Sequence, residues 1–182
     1  MEIRRATEAD AAAIARVHVE SWRSTYRGLL PEGLLDSLSL ERRTEMWQRI
    51  LREEQPSPTV FVAEGEAGVA GFASGGPERS GDAVYTGELY AVYLLAEAQG
   101  RGAGRQLVAA VARDLATAGH RAMLVWVLAA NPSRRFYEAL GGPELRSRRE
   151  DIGDLAMDEV AYGWRGRLPL GADGQAAGEA AR

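Results

Sequence analysis

The sequence predicts an α/β domain built on a mixed sheet. Two observations carry that expectation. Apolar residues switch between helical and strand spacing, giving the order strand, two helices, three strands, helix, strand, helix, two strands. A glycine-rich turn, Gln99 to Gly104, joins one strand to an amphipathic helix. No internal repeat is present.

Met1 to Ala6 reads as a short strand. Thr7 with Asp10 three residues on resembles a capping box that opens a helix. Ile14, Val17, His18, Ser21, Trp22 and Thr25 then fall on one helical face. Leu34, Leu35 and Leu38, followed by Met46, Trp47, Ile50 and Leu51, predict a second helical region that stops at Pro56-Ser57-Pro58. Period-two patterning predicts a hairpin, with strands Thr59 to Glu64 and Val69 to Ser74 around a turn at Gly65 to Gly68. A polar loop, Gly75 to Asp82, leads to a longer strand, Ala83 to Tyr93. After the glycine turn, Leu107, Val108, Val111 and Leu115 make an apolar stripe on a helix that ends near Gly119. Met123 to Leu128 is a short apolar strand. Asn131 with Pro132 starts another helix, which Gly141-Gly142-Pro143 ends. Residues 144 to 165 predict two strands around Gly153. The domain is expected over residues 1–165, and the Gly/Ala-rich tail, 166–182, is expected to be disordered.

Composition removes several chemistries. With 182 residues one domain is expected, and the 46% hydrophobic share suits a globular core. All 22 basic residues are arginine, so a Walker-type phosphate loop, which needs lysine, is excluded. A net charge of −4 argues against a nucleic-acid partner. Without cysteine there is no thiolate nucleophile and no sulfur-ligated metal. Two histidines, His18 and His120, make a multi-histidine metal site unexpected. The opening Met1-Glu2-Ile3-Arg4 carries no apolar signal region, and no stretch approaches a membrane span. A cytoplasmic protein without a membrane partner is therefore the expectation. A homodimer is compatible with it.

The chemistry concentrates where the strand ending Val92-Tyr93-Leu94 meets Gln99-Gly100-Arg101-Gly102-Ala103-Gly104-Arg105. Glycines there let a ligand approach the backbone and leave the first helical N–H groups exposed. With the helix dipole these groups suit a pyrophosphate, and Arg101 and Arg105 add charge. The dinucleotide pattern G-x-G-x-x-G fails, because Arg105 or Leu107 stands at its last position. What remains, Gln99-x-x-Gly102-x-Gly104, resembles the coenzyme A pyrophosphate motif of the GCN5-related N-acetyltransferase family. Trp126 to Gly141, with Asn131 and the Phe136-Tyr137 pair, resembles that family's second motif. Ile3 to Asp10 and Val17 to Pro31 resemble its opening strand and helix. Asn131 lies six residues before Tyr137, where many members place asparagine seven before.

The resemblance implies a mostly antiparallel sheet with splayed central strands flanked by helices. It implies N-acetyltransferase activity: acetyl-CoA as co-substrate, no metal, and direct transfer to a small-molecule or protein amine in a ternary complex. By position it assigns cofactor contacts to Val92, Tyr93, Leu94, Gln99, Gly100, Arg101, Gly102, Ala103, Gly104, Arg105 and Asn131. Tyr137 would act as general acid toward the leaving thiolate. Glu88, on the strand leading to the cofactor, would take the amine's proton directly or through water. Trp22 and Tyr26, one helical turn apart, are candidates for the acceptor pocket. A regulatory module that binds acyl-CoA without turnover is the rival reading, and Glu88 with Tyr137 favours the enzyme. His18 reads as structural, Arg134 and Arg135 as solvent-facing, and Arg146 to Asp151 as solvated charge.

Overall fold

A computed structural model of the chain describes residues 1–52, 58–152, 155–166 and 168–169. The elements follow the expected order, except that the second helical region is split into two helices, because Leu38 and Ser39 fall between them. Strand β1 (Glu2–Arg5) and a 3-10 turn (Glu8–Asp10) precede helices α1 (Ala11–Tyr26), α2 (Glu32–Asp36) and α3 (Leu40–Arg52). Strands β2 (Thr59–Gly65), β3 (Gly68–Pro77) and β4 (Gly87–Leu94) follow. Then come α4 (Ala103–Thr117), β5 (Ala122–Leu128), α5 (Arg134–Ala139), β6 (Glu144–Ile152) and β7 (Leu155–Arg165). The sheet has seven strands in the order β1-β2-β3-β4-β5-β7-β6. Every neighbouring pair is antiparallel except β4 with β5.

Each face of the sheet is covered by helices whose apolar stripe the sequence displays. On one face, Leu107, Val108, Val111 and Leu115 of α4 pack on Leu89, Met123, Val125 and Val127. On the other, Ile14 and Val17 of α1 and Trp47 of α3 pack on Val60, Val62 and Phe72. The end of α1 closes a smaller cluster, in which Tyr26 meets Leu30, Leu35 and Leu128. Among the described residues no helix is long and apolar enough to cross a membrane.

Three boundaries differ from expectation. Strand β4 starts at Gly87, not Ala83, because the Asp82 carboxylate accepts the N–H groups of Val84 and Tyr85 at 2.7 and 2.8 Å and folds that stretch into a turn. Gly75 to Pro77 continue β3 instead of forming a loop. Helix α5 starts at Arg134, because the Asn131 side chain accepts the Ser133 N–H at 2.8 Å and caps a turn ahead of the helix. Pro56, Ser57, Gly153 and most of the expected tail lie outside the described residues. Of that tail Leu168 is buried in the α4-side core.

The entry into α1 is the most heavily bonded surface feature. Arg4 donates two hydrogen bonds of 2.8 Å to the Asp10 carboxylate, and the Thr7 N–H and hydroxyl add two more at 2.8 and 3.0 Å. The Arg4 bonds hold the Asp10 carboxyl at about 2, against the opposing effect of burial. The folded-state value is thus depressed. The stabilisation is complete above the ordinary carboxylate range and is lost as pH falls toward 2. At 1.36 kcal/mol per unit it amounts to about 2 kcal/mol. Asp10→Asn should therefore lose about 2 kcal/mol near neutral pH. In urea denaturation series, its gap to the wild type should close between about pH 4 and pH 2. A gap that stays constant with pH would show that the ion pair is not its source.

Candidate active site

The site originates in how β4 leaves β5. The two strands pair only at Gly87 with Met123 and at Glu88 with Leu124. The β3–β4 ladder shifts register there, so that Ser74 faces Ala91 while Gly75 faces Leu89. Tyr90 is the extra residue of that bulge, and a bulge bends its strand. Beyond it β4 stays on β3, and β5 stays on β7 as far as Leu128. The facing edges of β4 and β5 therefore diverge, and a cleft of about 550 Å³ opens between them.

The turn after β4 builds one end. Gln99 donates from Nε2 to the Leu94 carbonyl at 3.0 Å, and Ser21 of α1 donates its hydroxyl to the same oxygen at 3.2 Å. Gly100 and Gly102 have φ of 72° and 83°, left-handed values that glycine adopts without strain. The first bond of α4 runs from the Gln106 N–H to the Gly102 carbonyl, so the N–H groups of Gly102 to Arg105 have no acceptor among the described residues. They and the positive end of a 15-residue helix form a place suited to an anion. A Cβ on Gly104 would sit 3.3 Å from Leu94 Cδ1 and 3.4 Å from Phe136 Cζ, so the absence of a side chain lets α4 approach.

The middle of the cleft is Tyr137. Its ring is buried, edge-on to Phe136 and stacked on Tyr162 with centroids 5.2 and 5.8 Å apart. Burial pushes its phenol well above the ordinary value, and Tyr93 and Tyr26 add to the effect. Its hydroxyl takes part in no hydrogen bond among the described residues, yet the side chain lines the cleft. The opposite wall is aromatic. Trp22 donates its indole N–H to the Tyr93 hydroxyl at 2.9 Å and lies 5.1 Å from Tyr26. Asn131 donates Nδ2 to the Tyr26 hydroxyl at 2.9 Å, tying α1 to the β5–α5 connection. His18 stacks on Tyr93 at 5.2 Å, and burial holds its imidazole at about 3, hence neutral.

Of the residues singled out from the sequence, Trp22, Tyr26, Val92, Tyr93, Leu94, Gln99, Gly100, Gly102, Gly104, Arg105, Asn131 and Tyr137 line this one cleft. Three do not. Arg101 is exposed, and Ala103 is buried in the α4-side core. Glu88 is buried below the bulge, where its carboxylate accepts Arg79 Nη2, Nε and backbone N–H at 2.5, 3.1 and 3.2 Å. The carboxylate that lines the cleft is Glu159 of β7, which the sequence reading missed. A signal existed. Met157, Glu159 and Ala161 alternate with outward or opposite-face residues, which puts a charge at an inward position of a strand.

The matches to known proteins agree with this geometry. A family model described as FR47-like protein matches residues 82–150. An uncharacterised N-acetyltransferase of Bacillus subtilis (strain 168), YuaI, is 42% identical over 163 residues, covering 89% of this chain and 91% of that protein. A ribosomal-protein-alanine N-acetyltransferase from Brucella melitensis superposes with a TM-score of 0.69 at 26% identity, over 91% of this chain and 99% of that one. An acetyltransferase from Salmonella typhimurium with its cofactor acetyl-CoA has a TM-score of 0.67 at 24% identity, over 92% and 94%. At that identity it speaks for the fold.

Because the Tyr137 hydroxyl holds nothing in the folded chain, Tyr137→Phe should change unfolding free energy by less than about 1 kcal/mol. Chemical denaturation measures this. A loss of several kcal/mol would make the hydroxyl a structural group.

Proposed function

The chain belongs to the GCN5-related N-acetyltransferase family, and from that premise we propose that its cleft passes an acetyl group from acetyl-CoA directly to a primary amine. The carrying observation is one continuous path. Free N–H groups at the start of α4 lead along the unpaired edge of β4 to the buried phenol of Tyr137.

The residues present fit acetyl-CoA. Gly102 to Arg105 offer N–H donors, the helix dipole and the Arg105 guanidinium to the pyrophosphate. The β5-facing edge of β4 from Ala91 to Leu94, apart from the Leu94 carbonyl that Gln99 and Ser21 already occupy, offers backbone groups to the pantetheine amides, in the manner of an added strand. Gln99 is committed to the Leu94 carbonyl, so it shapes the turn. Asn131 likewise braces Tyr26 and Ser133. Acetyl-CoA supplies the activated thioester.

The amine nitrogen bonds to the thioester carbonyl carbon, the carbon–sulfur bond breaks, and Tyr137 gives its phenolic proton to the sulfur. A phenol raised by burial keeps that proton throughout the neutral range. Donation to a thiolate, ordinarily near 8.5 by analogy with cysteine, is uphill in water. Burial destabilises the thiolate as well and narrows the difference. Before it attacks, the amine, an alkylammonium at neutral pH, gives one proton to Glu88. Since Arg79 holds that carboxylate outside the cleft lining, this transfer runs through a bridging water. Afterwards Glu88 releases its proton to solvent, and the second proton that the nitrogen loses as the amide forms replaces the one that Tyr137 gave to the sulfur. With no cysteine in the chain an acyl-thiol intermediate is excluded, which supports direct transfer between co-bound substrates.

Acetyl-CoA should raise the melting temperature of the wild type by mass action. Gly102→Val, which forces a branched side chain into left-handed backbone, should abolish the shift while the protein stays folded. Wild-type affinity in that variant would remove the pyrophosphate assignment. Tyr137→Phe should lower turnover about 10²-fold with little change in acetyl-CoA affinity. Glu88→Gln, acting through water, should cost about tenfold less than that. Thiol release in the presence of an amine reads both. Unchanged turnover in Tyr137→Phe would leave its ring as packing.

A further inference from the structure

The charges lining the cleft are sorted by sign along its length. Arg105 is the basic lining residue, on the first turn of α4 beside the free N–H groups. Glu159 is the acidic one, on β7 opposite Leu128 at the far end of β5. Between Glu159 and the sheet's splay stand aromatic rings from three elements: Trp22 and Tyr26 of α1, Tyr90 of β4 and Trp126 of β5.

Glu159 is built in. Its side chain is 14% exposed, and Arg148 Nε and Nη2 both reach Oε2, at 2.9 and 2.8 Å. Oε1 takes no hydrogen bond among the described residues. Arg148 itself lies over the Trp126 ring, 4.1 Å from its centroid. The carboxylate is therefore oriented by a stacked guanidinium, and one oxygen is left over. Burial is the main cause that raises the phenols of Tyr26 and Tyr93, and the Glu159 charge adds a smaller push in the same direction to both.

The bordering arginines are already committed. Arg79, stacked on Tyr90 at 4.3 Å, is paired with Glu88, and Arg146 is paired with Asp82. None of Arg79, Arg146 and Arg148 lines the cleft. An incoming carboxylate would meet Glu159 while Arg105, the cation among the described lining residues, stands at the other end of the cleft, and like charges at close range disfavour each other. An alkylammonium, the form of a primary amine at neutral pH, would meet a carboxylate oxygen and aromatic faces, both of which attract it.

We propose that Glu159, with Trp22, Tyr26 and Trp126, forms a subsite for the acceptor's ammonium group, and that the acceptor is a monocationic amine on an apolar stem with no carboxylate beside the nitrogen. The inference rests on the acetyl-transfer reading of the cleft. It adds the residue that selects the acceptor and the class it selects.

Equilibrium binding to the full chain, in the presence of coenzyme A, tests it with three probes: 2-phenylethylamine, its neutral isostere 2-phenylethanol, and phenylalanine. The wild type should bind the amine at least tenfold more tightly than either of the others. Glu159→Gln, with an unchanged melting temperature and coenzyme A affinity, should bring the amine down to the level of the alcohol. Failure of the wild type to bind the amine, or to prefer it, overturns the proposal, as does an undiminished preference in Glu159→Gln. Thiol release from acetyl-CoA in the same samples separates the two readings. Preferential amine binding without turnover would leave the subsite standing and sink the acetyl transfer. Turnover with no preference for the amine would do the reverse.

Discussion

Strands β4 and β5 share only two register pairs before they part, and the rest of the molecule is arranged around that divergence. Unpaired strand edges inside a sheet are costly, because backbone N–H and C=O groups require partners. The separation persists because each strand is fully engaged on its other side, β4 with β3 and β5 with β7. The Tyr90 bulge sets the angle, and α4 holds it from one face by wedging Gly104 against Leu94 and Phe136.

The other face is held by an aromatic layer. His18, Trp22, Tyr26, Trp47, Phe72 and Tyr93 contact one another with centroids between 5.0 and 6.2 Å. Hydrogen bonds from Trp22 to Tyr93 and from Asn131 to Tyr26 fix the orientation of the outer rings. The His18 imidazole stays neutral and its Nδ1 has no partner, so it fills space within the layer as an aromatic ring. Such packing gives a rigid wall, and rigidity matters where an attacking nitrogen must be aligned.

The sequence carried the element order, apart from the division of the second helical region into α2 and α3, because the period of the apolar residues survives folding: the α1 and α4 stripes are buried as spaced. It carried the glycine turn ahead of α4 for a similar reason, since left-handed backbone at Gly100 and Gly102 demands a residue type. What it did not carry depends on register between distant segments. Glu88 looked like the carboxylate at hand, being close in sequence to the turn. Only the fold shows Arg79 arriving from the β3–β4 connection to cover it. In the sequence Glu159 is one acidic residue among several in its segment. Only the β5–β7 pairing brings it to the cleft. The Tyr90 bulge has no mark in its own composition, and the Asp82 turn that delays β4 is a local hydrogen-bond competition that strand patterning does not anticipate.

Every ion pair described above is made by a guanidinium: Arg4 with Asp10, Arg79 with Glu88, Arg146 with Asp82, Arg148 with Glu159. Guanidinium groups stay protonated and are not nucleophiles at neutral pH. An enzyme that delivers acetyl groups to amines lives beside a reactive thioester, and an ε-amino group anywhere on its surface would be a potential target of that thioester. No side chain in these 182 residues is a primary amine. The arginine-only surface thus keeps its salt bridges while offering its own reaction no ε-amino group, and the charge pattern that shapes the cleft is made without any side chain that N-acetylation would neutralise.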